Sequence, residues 1–281
     1  MYTQLEDEFG DVVAKARRGQ EMTRAALADR VGLTAGDMAK IEDYELVPAA
    51  DAIERLAQAL GLHPGKLQAS AAQAFFPRNP AGCSMAGAQV EMMVLGSGFL
   101  MNGYIVGCAA TGQAAIIDPG FDADKILQRV AASGLTVEQI LLTHGHQDHI
   151  SALAEIGRAT GAPARIHSGD LALTGSLAAQ IAGELAAGDV VDIGQLRFAV
   201  RSTPGHTAGG VSLVHEEMAF VGDALFAGSL GGTRSVVNYR MQHQAVAEKL
   251  LALDEETMLF PGHGPATTVG EEKMHNPFFD F

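Results

Sequence analysis

Cysteine, basic residues and long apolar runs are all scarce in this chain. Its two cysteines, Cys83 and Cys108, are too few for a disulfide framework. The opening stretch up to Val13 is too charged for the apolar part of a secretory leader, so a reducing cytoplasm is the expected location. Even the alanine-rich stretch from Leu171 to Ala187 is broken by Thr174, Gly175, Ser176, Gln180, Gly183 and Glu184. Nothing approaches the ~18 uninterrupted apolar residues of a membrane span, and no membrane partner is expected. Lysine and arginine number 19 against 33 aspartates and glutamates, a formal net charge of −14. That balance repels phosphate backbones and anionic lipid unless cations cluster locally. Apolar material is plentiful, at 47% of 281 residues, enough for one large or two smaller domains with a sizeable core.

The texture of the chain changes near residue 85. From Phe9 to about Leu67, apolar residues recur at helical spacing in short runs punctuated by Gly19, Gly32, Pro48 and Pro64, which predicts a small all-α domain over residues 1–69. Residues 70–85, with Pro77 and Pro80 among alanines and glycines, read as a linker. From 86 to 281, short β-like runs (VEMMVL, NGYIVG, QAAIID, VEQILLTH, LRFAVRST, VSLVH, MAFVGD) alternate with helices expected at Asp122–Ser133, Ile150–Thr160 and Gln242–Leu253. That alternation predicts a layered α/β domain.

The chemistry is concentrated in Thr143-His144-Gly145-His146-Gln147-Asp148-His149, placed directly after the apolar run Gln139 to Leu142. Alternate residues His144 and His146 project to one side of an extended segment, while Asp148 and His149 leave from the turn that follows, so the two pairs address neighbouring metals. Further candidate ligands follow other apolar runs and sit beside glycine: His206 in Thr203-Pro204-Gly205-His206-Thr207, Asp223 in Val221-Gly222-Asp223, and His263 in Pro261-Gly262-His263-Gly264-Pro265. Strand ends that each deliver one ligand are how an α/β scaffold assembles a site from distant sequence. Neutral imidazoles and carboxylates suit Zn²⁺.

HGHQDH, PGHT, VGD and PGHGP, in this order, closely resemble the metallo-β-lactamase-fold hydrolase superfamily over about residues 86–281. The resemblance implies an α/β (α+β) fold, an αββα sandwich, here preceded by the small all-α domain. It implies two Zn²⁺: one held by His144, His146 and His206, the other by Asp148, His149 and His263, with Asp223 bridging them. Asp118 matches an acid that supports the metal loop. Asp148 and Asp223 would be the catalytic carboxylates in a water attack on an ester, thioester or lactone carbonyl of a small-molecule substrate. His146 stands where flavodiiron proteins carry Glu, and Asp223 where class B1 and B2 lactamases carry Cys. GDALFAGSLGGT and LFPGHGPATTVGEEKMHNPFF are instead similar to the short glyoxalase II-like (hydroxyacylglutathione hydrolase-like) enzymes. The sequence departs from them at Gly232-Thr233-Arg234, where Arg-Thr-Asp is common. Three alternatives share the scaffold: a persulfide dioxygenase with one Fe²⁺ on His144, His206 and Asp223, an acyl-homoserine lactonase, and a mixed Zn/Fe centre. RNA-processing members share the motif too, but the 21 acidic and 10 basic side chains beyond residue 80 make a poor partner for RNA.

Thr23 to Leu33, followed by Thr34 to Glu42, resembles the Cro/C1-type helix-turn-helix family, with Thr23 and Thr34 as N-caps and Gly32 at the turn. Leu27, Val31, Leu33, Met38 and Ile41 are the expected core, continued by Leu56, Leu60 and Leu62. The family's usual glycine after the Glu is replaced by Tyr44. Arg24 and Lys40 are the candidate DNA contacts, and Arg17, Arg18, Arg24 and Arg30 would form a basic stripe if they shared a face. The module is expected to bind DNA, to make a homodimer, or to cover the catalytic mouth. A metabolite-sensing transcriptional regulator is the reading from a different class. His63, His215, His243 and His275 are expected on surfaces or caps, His167 beside the site, and Met92, Met93 and Met101 in the core or lining a pocket. Asn102 and Tyr104 are expected near substrate.

Overall fold

A computed structural model describes residues 2–281. The first five helices are α1 (Phe9–Gly19), α2 (Arg24–Val31), α3 (Ala35–Glu42), α4 (Ala50–Leu60) and α5 (Pro64–Ala71). Side-chain caps set the starts of α2 and α3: the Thr23 hydroxyl accepts from Ala26 N at 3.1 Å, and Thr34 accepts from Asp37 N at 3.0 Å while the Asp37 carboxylate accepts from Thr34 N at 3.1 Å. Gly32, at φ +70°, ends α2. Leu27, Val31, Met38, Ile41, Leu56, Leu60 and Leu62 are buried as the periodicity predicts, and Leu33 packs against them half-buried. Tyr44 adopts φ +63°, a conformation that favours glycine, and its hydroxyl donates to Asp11 at 2.6 Å across the gap left by Gly10.

The expected basic stripe does not form. Arg17 is buried and grips both carboxylate oxygens of Glu42, at 2.6 and 2.7 Å. Arg24 reaches the same carboxylate at 2.9 Å and Asp43 at 3.2 Å. Burial works to raise the Glu42 pKa, but the two guanidiniums outweigh it and hold the carboxyl below its ordinary value.

Beyond residue 87, two six-stranded sheets lie face to face. In the first, β1 (Ala88–Leu95), β2 (Met101–Cys108) and β3 (Gln113–Ile117) run antiparallel, and β4 (Thr136–Leu141), β5 (Ala164–Ile166) and β6 (Ile181–Glu184) continue in parallel from β3. Helices α6 (Ala123–Ser133), α7 (Gln147–Ile150) and α8 (Leu153–Thr160) interrupt these strands, and a 3₁₀ segment spans Ser168–Gln180 with a kink at Gly175. The second sheet holds β7 (Val190–Ile193), β8 (Leu196–Ser202), β9 (Val211–Val214), β10 (Met218–Gly222), β11 (Met258–Pro261) and β12 (Thr267–Thr268) in reverse sequence order. It is accompanied by α9 (Val236–Lys249) and α10 (Val269–His275). The helix expected over Ile150–Thr160 is divided at Ser151 and Ala152. The one expected at Gln242–Leu253 starts earlier, because the Ser235 hydroxyl caps it by accepting from Asn238 N at 3.1 Å.

Three apolar clusters make the layers. Tyr104, Val106 and Ile117 of the first sheet meet Phe198, Leu213, Phe220 and Phe260 of the second. The other face of the first sheet (Ile105, Ile116, Ile140) packs on Ile126, Leu153 and Ile156. The other face of the second (Val214, Ala219, Leu259) packs on Val246 of α9 and on Leu250 at its C-terminal cap, in one cluster with Phe9, Val13, Leu27 and Leu56. This is the αββα sandwich, and the N-terminal helices extend its outer layer. The buried Lys66 ammonium donates to the carbonyls of Lys273 and Phe279, each at 2.6 Å, and His63 N donates to Pro277 O at 2.8 Å. No helix among the described residues is long and apolar enough to cross a membrane.

Glu272, fully buried on α10, ties this layer together by accepting from Gly228 N (3.0 Å), the Thr267 hydroxyl (2.8 Å) and Asn276 Nδ2 (2.8 Å). Burial pushes its carboxyl up to about 7. A folded-state pKa above the unfolded one means that the folded chain holds more protons in that interval, so this group's contribution to stability is full below about 4.5 and declines as pH rises through about 7. In metal-free protein, Glu272→Gln is expected to flatten the fall in urea-unfolding free energy between pH 5 and 7.5. An unchanged slope would contradict it.

Candidate metal centre

The strands deliver the site at one edge of the sandwich. After β4 the chain turns through Thr143 to His146, and α7 carries Asp148 and His149. His206 lies in the turn after β8, Asp223 directly after β10 and His263 directly after β11. Their ligand atoms fall within 4.8 Å of one another in the groups His144/His146/His206, Asp148/His149/His263 and Asp118/His144/His149. Asp223 stands between the first two groups: Oδ2 is 3.3 Å from His206 Nε2 and 3.6 Å from His263 Nε2, and Oδ1 is 3.4 Å from His149 Nε2. All seven residues singled out in the sequence are therefore brought together. Gly262 makes room for them, since a methyl there would stand 2.1 Å from Asp223 Oδ1 and 2.6 Å from His149 Cε1.

The far nitrogens of three of the imidazoles are committed, and that determines what their near ones can do. His206 Nδ1 lies 2.7 Å from Gly232 O and His263 Nδ1 2.7 Å from Leu100 O; a carbonyl only accepts, so both nitrogens donate. His149 Nδ1 donates in the same way to Asp118 Oδ2 at 3.0 Å. In the neutral rings the Nε2 atoms then carry lone pairs, yet His149 Nε2 faces His263 Nε2 at 3.4 Å, and His206 Nε2 faces His146 Nδ1 at 2.9 Å. Buried His144 Nε2 and Asp223 Oδ1 have no hydrogen-bond partner. Lone pairs and carboxylate oxygens that converge without donors fit divalent metal ions.

Without a metal, protons must take that place. Burial tends to lower His149, but Asp223 and Asp118 outweigh it and hold it well above its ordinary value; His263 is raised by Asp223 and Asp148 against the same burial. Burial, followed by repulsion from His149, keeps His144 well below its ordinary value. Asp223 is driven well down by His263, His149 and His206 although burial opposes it. Metal binding is therefore linked to proton release.

Residues that touch no ligand-facing space hold those that do. Buried Asp118 accepts from Thr143 N at 2.8 Å, the Thr143 hydroxyl at 2.6 Å and His149. Asp170, which the sequence reading did not single out, is fully buried and accepts from Gly145 N at 3.0 Å and Gly209 N at 2.6 Å, joining the His144–His146 turn to the loop that follows His206. Its one sequence signal is isolation, as the single Asp, Glu, Lys or Arg between Arg165 and Glu184. Gln242, also not singled out, donates from Nε2 to Asp223 O, Ala224 O and Gly231 O at 2.9–3.2 Å.

Asn102 and Tyr104 are corrected from expected substrate neighbours to buried supports. Asn102 Nδ2 donates to Pro261 O (3.0 Å) and Gly264 O (2.8 Å), and the Tyr104 hydroxyl donates to Pro261 O, bracing the turn that presents His263. His167 Nδ1 accepts from Gly169 N at 3.1 Å and caps the 3₁₀ segment. Lys40 is exposed on α3.

The model of the Metallo-beta-lactamase superfamily matches residues 99–263, and the chain belongs to that superfamily. "Probable metallo-hydrolase YqgX" of Bacillus subtilis is 37% identical over 185 residues, 60% of this chain and 88% of that one. "Hydroxyacylglutathione hydrolase GloC" of Haemophilus influenzae is 33% identical over 185 residues, 59% of this chain and 87% of that one. Among solved structures, ETHE1 from Myxococcus xanthus superposes with a TM-score of 0.59 at 31% identity, over 67% of this chain and 83% of that one. The family match leaves the five N-terminal helices outside it.

Asp118→Asn removes one of two acceptor oxygens that serve three donors. The variant is expected to fold and to lose metal to a competing chelator about 10- to 100-fold more readily than the parent. Equal retention in a fluorescent-chelator competition would show that Asp118 does not tune the centre.

Proposed function

We propose that the chain is a metal-dependent hydrolase of a thioester or related ester, with two divalent ions, zinc in the first instance. His144, His146 and His206 would hold one, Asp148, His149 and His263 the other, and Asp223 both. The observation that carries this reading is the pair of facing imidazole sets, with His149, His206 and His263 held from behind, and an unpartnered carboxylate oxygen between them. When bound, such ions supply Lewis acidity to a carbonyl oxygen and a water acidic enough to ionise near neutral pH.

The chain's own residues supply the rest. Asp148 is the more open of the two carboxylates, with 22% of its side chain exposed, and its Oδ2 lies 3.2 Å from His263 Nε2. Burial would raise its pKa, but the His263 hydrogen bond and the His149 charge outweigh that, so it stays ionised and can take a proton and return it to a departing thiolate or alkoxide. Two exposed apolar side chains lie beside the centre: Phe99, 57% exposed, has its ring 5.2 Å from that of His263, and exposed Leu173 lies against Gly145. Such a rim suits the hydrocarbon part of an acyl group and sheds water as it docks. The similarity to a hydroxyacylglutathione hydrolase supports the same reaction class. The regulatory reading has less support, because Arg24, one of its two DNA contacts, is paired with Glu42 and Asp43.

Protein purified without added metal is expected to carry about two zinc ions per chain by mass spectrometry and to hydrolyse an acyl thioester until a chelator is added. About one iron and no hydrolysis would overturn the assignment in favour of persulfide oxygenation. Asp148→Asn with full metal content should lose about 10²-fold in kcat; unchanged turnover would remove the proton-carrying role.

A further inference from the structure

Residues Tyr2 to Glu8 precede α1 and lie on the loops that carry His263 and Asp223. The Tyr2 hydroxyl donates at 2.9 Å to Asn102 Oδ1, on the amide that also braces Gly264. Gly264 directly follows His263 and has φ +73°; a methyl on it would stand 2.8 Å from Glu6 Cβ and 3.1 Å from Glu6 N, so the segment passes in contact with this turn. Leu5 lies against Gly228, five residues beyond Asp223. Asp7 is buried and takes the Lys15 ammonium, which also donates to Leu230 O at 2.9 Å and sits 4.4 Å over the Phe226 ring. That ring packs edge-on to His263, with centroids 5.5 Å apart. The segment is thus fixed to the start of β2 and to the loops after β10 and β11, the contact of Asp7 being made through Lys15 of α1.

The charges left over are unequal. The Lys15 ammonium gives its hydrogen bonds to Asp7 and Leu230, and Glu6 stands half-buried with its Cβ and backbone N against Gly264, the residue next to His263; burial raises its carboxyl, and His263 and Lys15 oppose that. A carboxylate held in a partly desolvated wall repels an approaching anion and attracts a cation over several ångströms.

We propose that Tyr2–Asp7 forms a wall of the metal centre and that Glu6 selects ligands by charge, disfavouring a carboxylate-bearing leaving group and favouring a neutral or ammonium-bearing one. The proposal rests on the hydrolase reading for its substrate, an acyl thioester or ester, and on the metal centre alone for binding.

The test uses full-length, metal-loaded protein and three matched thiols, 2-mercaptoethanol, cysteamine and 3-mercaptopropionate, titrated by calorimetry at pH 8 and low salt. With 2-mercaptoethanol as the internal reference, Glu6→Gln is expected to tighten 3-mercaptopropionate and weaken cysteamine, each by about five- to tenfold. Glu6→Asp should keep the parent's order, and Glu6→Ala should repeat the glutamine result if the amide perturbs the loop. Equal shifts for all three thiols in both neutral variants would overturn the wall. Acetyl thioesters of the same thiols separate the two readings: selective thiol binding without hydrolysis sinks the hydrolase and keeps the wall, and hydrolysis without charge selectivity does the reverse.

Discussion

Five imidazoles and two carboxylates are held with their electron pairs turned toward one another, and the rest of the site is arranged to keep them so. Such a grouping is short of positive charge until protons or a metal ion enter, and a flexible chain would relieve it by turning the rings away. The fold prevents that by fastening the rear of the rings: Asp118 behind His149, Gly232 O behind His206, Leu100 O behind His263. Because Asp118 also grips Thr143 through backbone and hydroxyl, the loop after β4 and the helix after it are set by one carboxylate. Asp170 and Gln242 act alike on the other loops, through backbone groups rather than ligands. The centre is pre-shaped, so metal binding need not order the loops as well.

The second constraint is the outer face of the second sheet. Val214, Ala219 and Leu259 present an apolar surface that α9 and α10 share with the N-terminal helices, whose own core of Val13, Leu27 and Leu56 runs into it without a break. Rather than being tethered by a free linker, the helices are a part of the sandwich's outer layer. Glu42 contributes by drawing Arg17 inward, which ties α1 to the end of α3.

Much of this was legible in the chain. The metal ligands stand out because each lies in a short motif beside glycine, and a motif needs no knowledge of distant packing. Thr23, Thr34 and Gly32 were readable because caps act within three or four residues. What the sequence hides is the identity of partners far along the chain. Asn102 looks like a substrate contact when only its place by a strand near the expected site edge is known, and its partners, Pro261 and Gly264, lie about 160 residues away. Asp170 lies in an alanine-rich stretch without a motif. Ser235, which starts α9, was overlooked because α9 is weakly patterned and its first turn reads as loop.

The contacts between the first helices and the last residues have a consequence for how the chain acquires its shape. Phe9, Leu60 and Leu67 share a cluster with Phe278 and Phe279, and the Lys66 ammonium is satisfied by carbonyls at 273 and 279. During synthesis the N-terminal helices emerge about 200 residues before these partners do. Until then part of their apolar face and a lysine destined for burial stay open to solvent and to chaperones. Completion of this helical layer thus waits on residues made about 200 positions later, so its assembly depends on long-range contacts and not on local ones alone.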